Sequence, residues 1–142
     1  MYRQIVVGTD GSRRAEAAIE QAAFLALLSG AELDLIQGCG SPIVGTVLPE
    51  AAAFVNPSQV VEASGEQLET LAETLRSRGL STYTHAVPTS GHGALCEVAA
   101  KLDADLIVVG NRGMTGAGRF LDSVPNAAAH QAPCSVLIVA TN

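Results

Sequence analysis

DLIVVGNRGMTGAGRFLDSVPNA, residues 105–127, decides the fold. It opens on an apolar, β-branched run, Leu106-Ile107-Val108-Val109, with the length of a buried strand. Gly110, Gly113, Gly116 and Gly118 follow within nine residues. The stretch closes on Asp122-Ser123-Val124-Pro125, a capping-type side chain with proline in the first turn of a helix, where a missing N–H costs nothing. Strand, glycine-rich loop and helix start together form an arrangement that holds a phosphate. The glycines let backbone N–H groups come close to an anion, and the helix end adds partial positive charge.

The rest of the chain repeats the alternation. Residues 3–8 read as a strand around Ile5-Val6-Val7, and Thr9-Asp10-Gly11-Ser12 as a tight turn with Ser12 capping a helix that ends at Ser29-Gly30. Residues 32–37 are a second strand. Residues 38–57 carry Pro42, Pro49 and Pro57 and read as an irregular segment, longer than a connector requires. Residues 58–78 form a long helix with Val61, Leu68, Leu71, Ala72 and Leu75 on its buried stripe, stopped by Gly79. Residues 80–87 suit a less buried, edge-like strand. A short helix over 94–102, a strand over 105–109, a helix over 124–131 and a strand over 135–140 complete the pattern. This β-α-β-α-β-α-β-α-β order predicts one α/β domain over residues 1–142. Its parallel sheet carries helices on both faces, joined by right-handed crossovers. In such sheets a ligand binds outside the carboxyl ends of the strands, where strand order reverses. The loops after the first and fourth strands would flank that crevice.

Composition narrows the functions. Hydrophobic residues make up 48% and charged residues 15%, which is globular. A net charge of −6 and an absence of tryptophan argue against nucleic acid. No apolar run reaches the roughly 18 residues of a membrane span. Nothing at the N-terminus has the pattern of a signal peptide, so the cytoplasm is expected. Lys101 is the single lysine and no G-x-x-x-x-G-K-[ST] is present, which excludes a P-loop. Cys39, Cys96 and Cys134 show no metal spacing and read as free, mostly buried thiols. His85, His92 and His130 are scattered and read as surface or capping residues.

The Gly110, Gly113 and Ser123 loop resembles the nucleotide-binding loop of the universal stress protein family. ATP-binding members of that family carry Gly, two residues, Gly, nine residues, then Gly-Ser or Gly-Thr. The opening Ile5-Val6-Val7-Gly8-Thr9-Asp10-Gly11-Ser12 and the closing run from His130 to Val139 are also similar to the family's ends. The resemblance implies a Rossmann-like three-layer sandwich with strand order 3-2-1-4-5. It also implies a regulatory module, at most a weak ATPase, that binds an adenine nucleotide: ATP, with or without Mg²⁺. Gly8, Thr9, Asp10, Gly38, Gly110, Arg112, Gly113, Ser123 and Val124 are the implied site. A homodimer paired through Ser135–Val139 is implied as well, and that apolar edge would otherwise invite aggregation.

Several of these residues have a second reading. Asp10 either bonds its own turn backbone or accepts from ribose or adenine, or helps hold Mg²⁺. Ser123 is a phosphate ligand or a helix cap. Arg112 and Arg119 neutralise phosphate or simply face solvent. Gly38 replaces a small apolar residue that packs on adenine in relatives. The chain also departs from the motif. Only eight residues follow Gly113 before the next motif position, which is Asp122 rather than glycine. Two like charges about 4 Å apart at an effective dielectric near 20 repel by roughly 4 kcal/mol, an upper figure. A carboxylate there also suits a helix N-terminus unaided. The alternative is therefore a dimeric stress-response interaction protein of the same fold that binds no nucleotide. The sequence names none of its protein partners.

Overall fold

In a computed structural model the described residues are 1–39, 57–89, 91–111 and 124–141. The elements run β1 Gln4–Gly8, α1 Ala15–Ser29, β2 Glu32–Gly38, α2 Pro57–Ser77, β3 Thr82–Val87, α3 Gly91–Lys101, β4 Leu106–Gly110, α4 Val124–Gln131 and β5 Ser135–Val139. All five strands pair in parallel, in the order β3-β2-β1-β4-β5. This is the expected α/β order. Most boundaries fall within two residues of the sequence reading, and α3 starts three residues earlier, at Gly91.

Each sheet face buries its own core. Ile5, Val7, Leu33, Leu35, Leu106 and Val108 pack beneath α1 and α2, against Ile19, Ala22, Leu68 and Leu75. Val6, Ile36, Ile107 and Val109 point the other way, against Leu95, Val98 and Ala99 of α3. Successive residues of β1 and β4 are thus buried on alternate sides, which is why both strands read as unbroken apolar runs. Burying each such aliphatic side chain contributes about 1.5–3 kcal/mol, so these two strands are the most strongly determined part of the chain. The outer strands β3 and β5 are only partly covered, as an edge position predicts.

Three expectations are corrected. Ser12 is not the cap of α1. The residue before the helix is Arg14, in αR geometry without a side-chain cap, and the turn is closed by the amides of Ala15 and Glu16 donating to the carbonyls of Ser12 and Arg13, each at 3.2 Å. The cysteines are half-buried rather than buried, although burial raises the thiol pKa of Cys96 and of Cys134. His85 is not a capping residue, and although its side chain stays 30% exposed it is not merely a surface histidine. Its Nε2 lies 2.6 Å from Oδ1 of Asp34, a carboxylate only 2% exposed in the middle of β2. Gln4 Nε2 also donates to Asp34. A buried carboxylate costs several kcal/mol unless paired, and these two side chains from the flanking strands supply its partners.

Asp105, in the connection before β4, accepts the amides of Arg3 at 2.7 Å and Gln4 at 2.9 Å. Those backbone donors, Arg3 first, hold its carboxyl below the usual carboxylate range. The pair clamps the amino ends of β1 and β4 together, and the amide of Asp105 adds a bond to the carbonyl of Gln4 at 2.9 Å. Because the folded-state pKa is depressed, this stabilisation is complete above the unfolded value near 3.9 and is lost as pH falls through the folded value. Denaturant titrations should show Asp105→Asn less stable than wild type at pH 7, with the gap narrowing as pH falls from about 5 toward 3.

Candidate functional site

The hydrogen-bond ladder locates the crevice. β1 pairs with β2 from Gln4–Glu32 to Gly8–Ile36. β1 pairs with β4 only from Ile5–Leu106 to Val7–Val108. β4 keeps pairing with β5 as far as Gly110–Val139, and β2 with β3 as far as Gly38–Val87. Beyond their last pair, the two central strands follow different neighbours. The amide of Thr9 donates to the carbonyl of Ile36 at 2.9 Å, and the amide of Asn111 to the carbonyl of Val139 at 2.9 Å. The chain leaving β1 therefore stays with β2, and the chain leaving β4 stays with β5. Closed by Asp105 at one end and unpaired at the other, this seam is the topological switch point at which open α/β sheets bind ligands.

Gly8, Gly38 and Gly110 occupy the carboxyl ends of β1, β2 and β4, and Thr9 and Asp10 follow β1 directly. The structure thus gathers these five predicted residues at one end of the sheet. Val124 opens α4. Arg112, Gly113 and Ser123, with Arg119, Asp122 and residues 40–56, lie outside the described residues.

The turn after β1 is built from its own side chains. Thr9 Oγ1 accepts the amide of Gly11 at 3.1 Å, and Asp10 Oδ1 accepts the amide of Ser12 at 2.9 Å. Asp10 therefore fulfils the turn role weighed for it, while remaining exposed at the crevice. Gly11 has φ +79°, a left-handed conformation that favours glycine. Ser12 Oγ is buried without a hydrogen-bond partner among the described residues. Such an orphaned hydroxyl, two residues from Asp10, fits a site that takes a polar ligand.

Two glycines have a structural cause that the sequence did not disclose. A Cβ on Gly8 would stand 2.9 Å from a methyl of Leu95, and one on Gly110 would stand 2.8 Å from Thr141 Cγ2. At both positions the protein's own side chain fills the space. These glycines set how closely α3 and residue 141 approach the strand ends, so their presence is not in itself a sign of a ligand. Leu95 and Thr141 carry no motif signal; only the fold brings them to the crevice.

The architecture and its switch-point crevice define an open, Rossmann-like α/β protein. The model of the universal stress protein family matches residues 1–140, and the chain belongs to that family. It is 32% identical over 140 residues to universal stress protein A homolog 1 of Coxiella burnetii, covering 97% of this chain and 96% of that one. It is 35% identical over 152 residues to a universal stress protein of Mycobacterium tuberculosis strain H37Rv, covering 99% and 97% of the two chains. Among solved structures, a universal stress protein in complex with cAMP superposes with a TM-score of 0.70 at 30% identity, covering 99% of each chain.

The packing at Gly8 and Gly110 yields a ranked expectation. Leu95 is only 1% exposed and cannot move away freely, whereas Thr141 is half-buried. Gly8→Ala should cost about 1–3 kcal/mol by overpacking, and Gly110→Ala less, as read from urea midpoints.

Proposed function

We propose that this protein is a regulatory module that binds an adenine nucleotide in the crevice between β1 and β4. The observation that carries this reading is the ladder of Thr9 to β2 and of Asn111 to β5, which opens the sheet where Gly8, Thr9, Asp10 and Gly110 meet. The relative in complex with cAMP, similar over the full chain, supports an adenine nucleotide as the ligand class. In this reading Gly8 and Thr9 offer main-chain contacts to the base, and Gly38 borders the base with little wall of its own. Asp10 accepts from the ribose, and Gly110, Arg112, Gly113, Ser123 and Val124 form the phosphate end. ATP is the proposed ligand, and any Mg²⁺ would be held by its phosphates with help from a carboxylate such as Asp10. Among the described residues no group of three or more His, Cys, Asp or Glu could hold a metal alone.

At most slow ATP hydrolysis is proposed: Lys101, the single lysine of the sequence, lies at the end of α3 that leads into β4, and among the described residues no general base for phosphoryl transfer is identified. Among the described residues no helix is long and apolar enough to cross a membrane. A cytoplasmic homodimer, paired through Ser135–Val139, completes the proposal; the half-exposed apolar β5 edge motivates it. Light scattering on the eluting peak should give the mass of two chains, and a single-chain mass would count against the pairing.

Asp122 and the eight-residue spacing favour a second reading, a dimeric interaction protein of the same fold that binds no nucleotide. Calorimetry with ATP–Mg²⁺ separates the two. The test pairs wild type with a variant carrying Asp122→Gly and a leucine inserted after Leu121. Micromolar binding by wild type is expected under the nucleotide reading. Binding by the repaired variant alone would mean that the phosphate end has been switched off and would support the second reading.

A further inference from the structure

We propose that Gln37 and Gln67 are a base-reading pair beside the turn after β1, one donating to and the other accepting from the edge of an adenine; this rests on the adenine-nucleotide reading. The two residues reach the turn from separate elements. Gln37 lies in β2, directly before Gly38, and Gln67 lies in α2. Both stand on the side of Gly11 to which a side chain would project. A Cβ there would be 3.8 Å from Gln37 Nε2 and 3.9 Å from Gln67 Oε1. Gln37 is half-buried and Gln67 exposed, and neither side-chain amide has a hydrogen-bond partner among the described residues. The buried Ser12 hydroxyl, also without a partner among them, follows in the same turn. The fold accounts for the reach of α2. A Cβ on Gly65 would meet Ala86 Cβ at 3.9 Å, and Ala86 is the register partner of Gln37. A helix between parallel strands returns antiparallel to them, so the turns of α2 before Gly65 run on past the carboxyl edge of the sheet. Gln67 follows that contact by two residues and is carried to the turn of Gly11.

A donor beside an acceptor matches the edge of adenine. Adenine presents its N6 amino donor next to a ring-nitrogen acceptor, a pattern that glutamine amides recognise, whereas guanine places the O6 acceptor where adenine has the donor. Gln37 Nε2 donates to the ring nitrogen, and Gln67 Oε1 accepts from N6. Hypoxanthine, which carries O6 in place of the amino group, would meet Gln67 Oε1 acceptor to acceptor. A site built to bond one group rejects the analogue that lacks it, because its polar atoms are then left unpaired. A side chain on Gly11 would touch both amides, so the glycine also keeps the approach to them clear. Gln67 carries no motif signal; α2 alone brings it to the turn.

Calorimetric titrations of AMP and IMP into wild type, Gln67→Glu, Gln67→Lys and Gln37→Leu test the pair. The ratio of the two affinities is the readout, because a charge added near the phosphate acts on both ligands alike. Ionised glutamate only accepts and protonated lysine only donates. Wild type is expected to bind AMP about tenfold more tightly than IMP. Gln67→Glu should keep that preference, and Gln67→Lys should abolish or reverse it. Gln37→Leu should weaken AMP by about three- to tenfold. Equal affinity for AMP and IMP in wild type, a preference that survives Gln67→Lys, or unchanged AMP affinity in Gln37→Leu would overturn the base-reading pair while leaving nucleotide binding intact. Wild-type protein that binds neither AMP nor IMP would overturn the nucleotide reading, and the pair with it.

Discussion

The seam between β1 and β4 is the constraint on which the rest depends. A central parallel strand must satisfy its backbone on both sides, and β1 does so until Val7, where its bonds to β4 stop. At the amino end the carboxylate of Asp105 holds the seam shut through two main-chain amides. At the carboxyl end Thr9 and Asn111 are claimed by opposite outer strands. The opening is a product of topology: β2 and β4 flank β1, and α1, which follows β1, packs on one face of the sheet, whereas α4, which follows β4, packs beside α3 on the other.

Packing then makes the opening durable. The two apolar layers bury alternate residues of the same strands, so neither face can slip without exposing the other. The close seats of Leu95 against Gly8 and Thr141 against Gly110 lock α3 and the chain beyond β5 to the strand ends on either side of the crevice. Away from it, Asp34 shows the cost of a polar group in such a core. Its carboxylate sits among apolar strands only because Gln4 and His85 reach it from β1 and β3.

Local pattern carried the fold. The apolar runs of β1 and β4, Gly30 and Gly79 in left-handed geometry at their helix ends, and the regular alternation of elements were all legible. So were Gly8, Thr9, Asp10, Gly38 and Gly110 as residues that meet at one end of the sheet. What escaped the sequence depends on pairs distant in the chain. His85 is 51 residues from Asp34, and Thr141, whose hydroxyl donates to Asn111 Oδ1, is 30 residues from Asn111. Neither spacing has a local signature, because a sheet crossover, not a helix turn, brings them together. Ser12 misled for a different reason. The Ser-before-helix pattern predicts a cap, but the Ala15 amide donates to the carbonyl of Ser12, and the Ser12 hydroxyl is buried without a partner among the described residues.

The central claim is that ligand enters where β1 and β4 part. Mapping amide chemical-shift changes while AMP is added to the isotopically labelled protein tests it most directly. The account predicts the largest changes at Gly8, Thr9, Asp10 and Gly110, with the amino ends of the same strands, Gln4 and Leu106, unmoved. Saturable changes confined to another face of the sheet, or to the outer surface of α1 or α2, would contradict it.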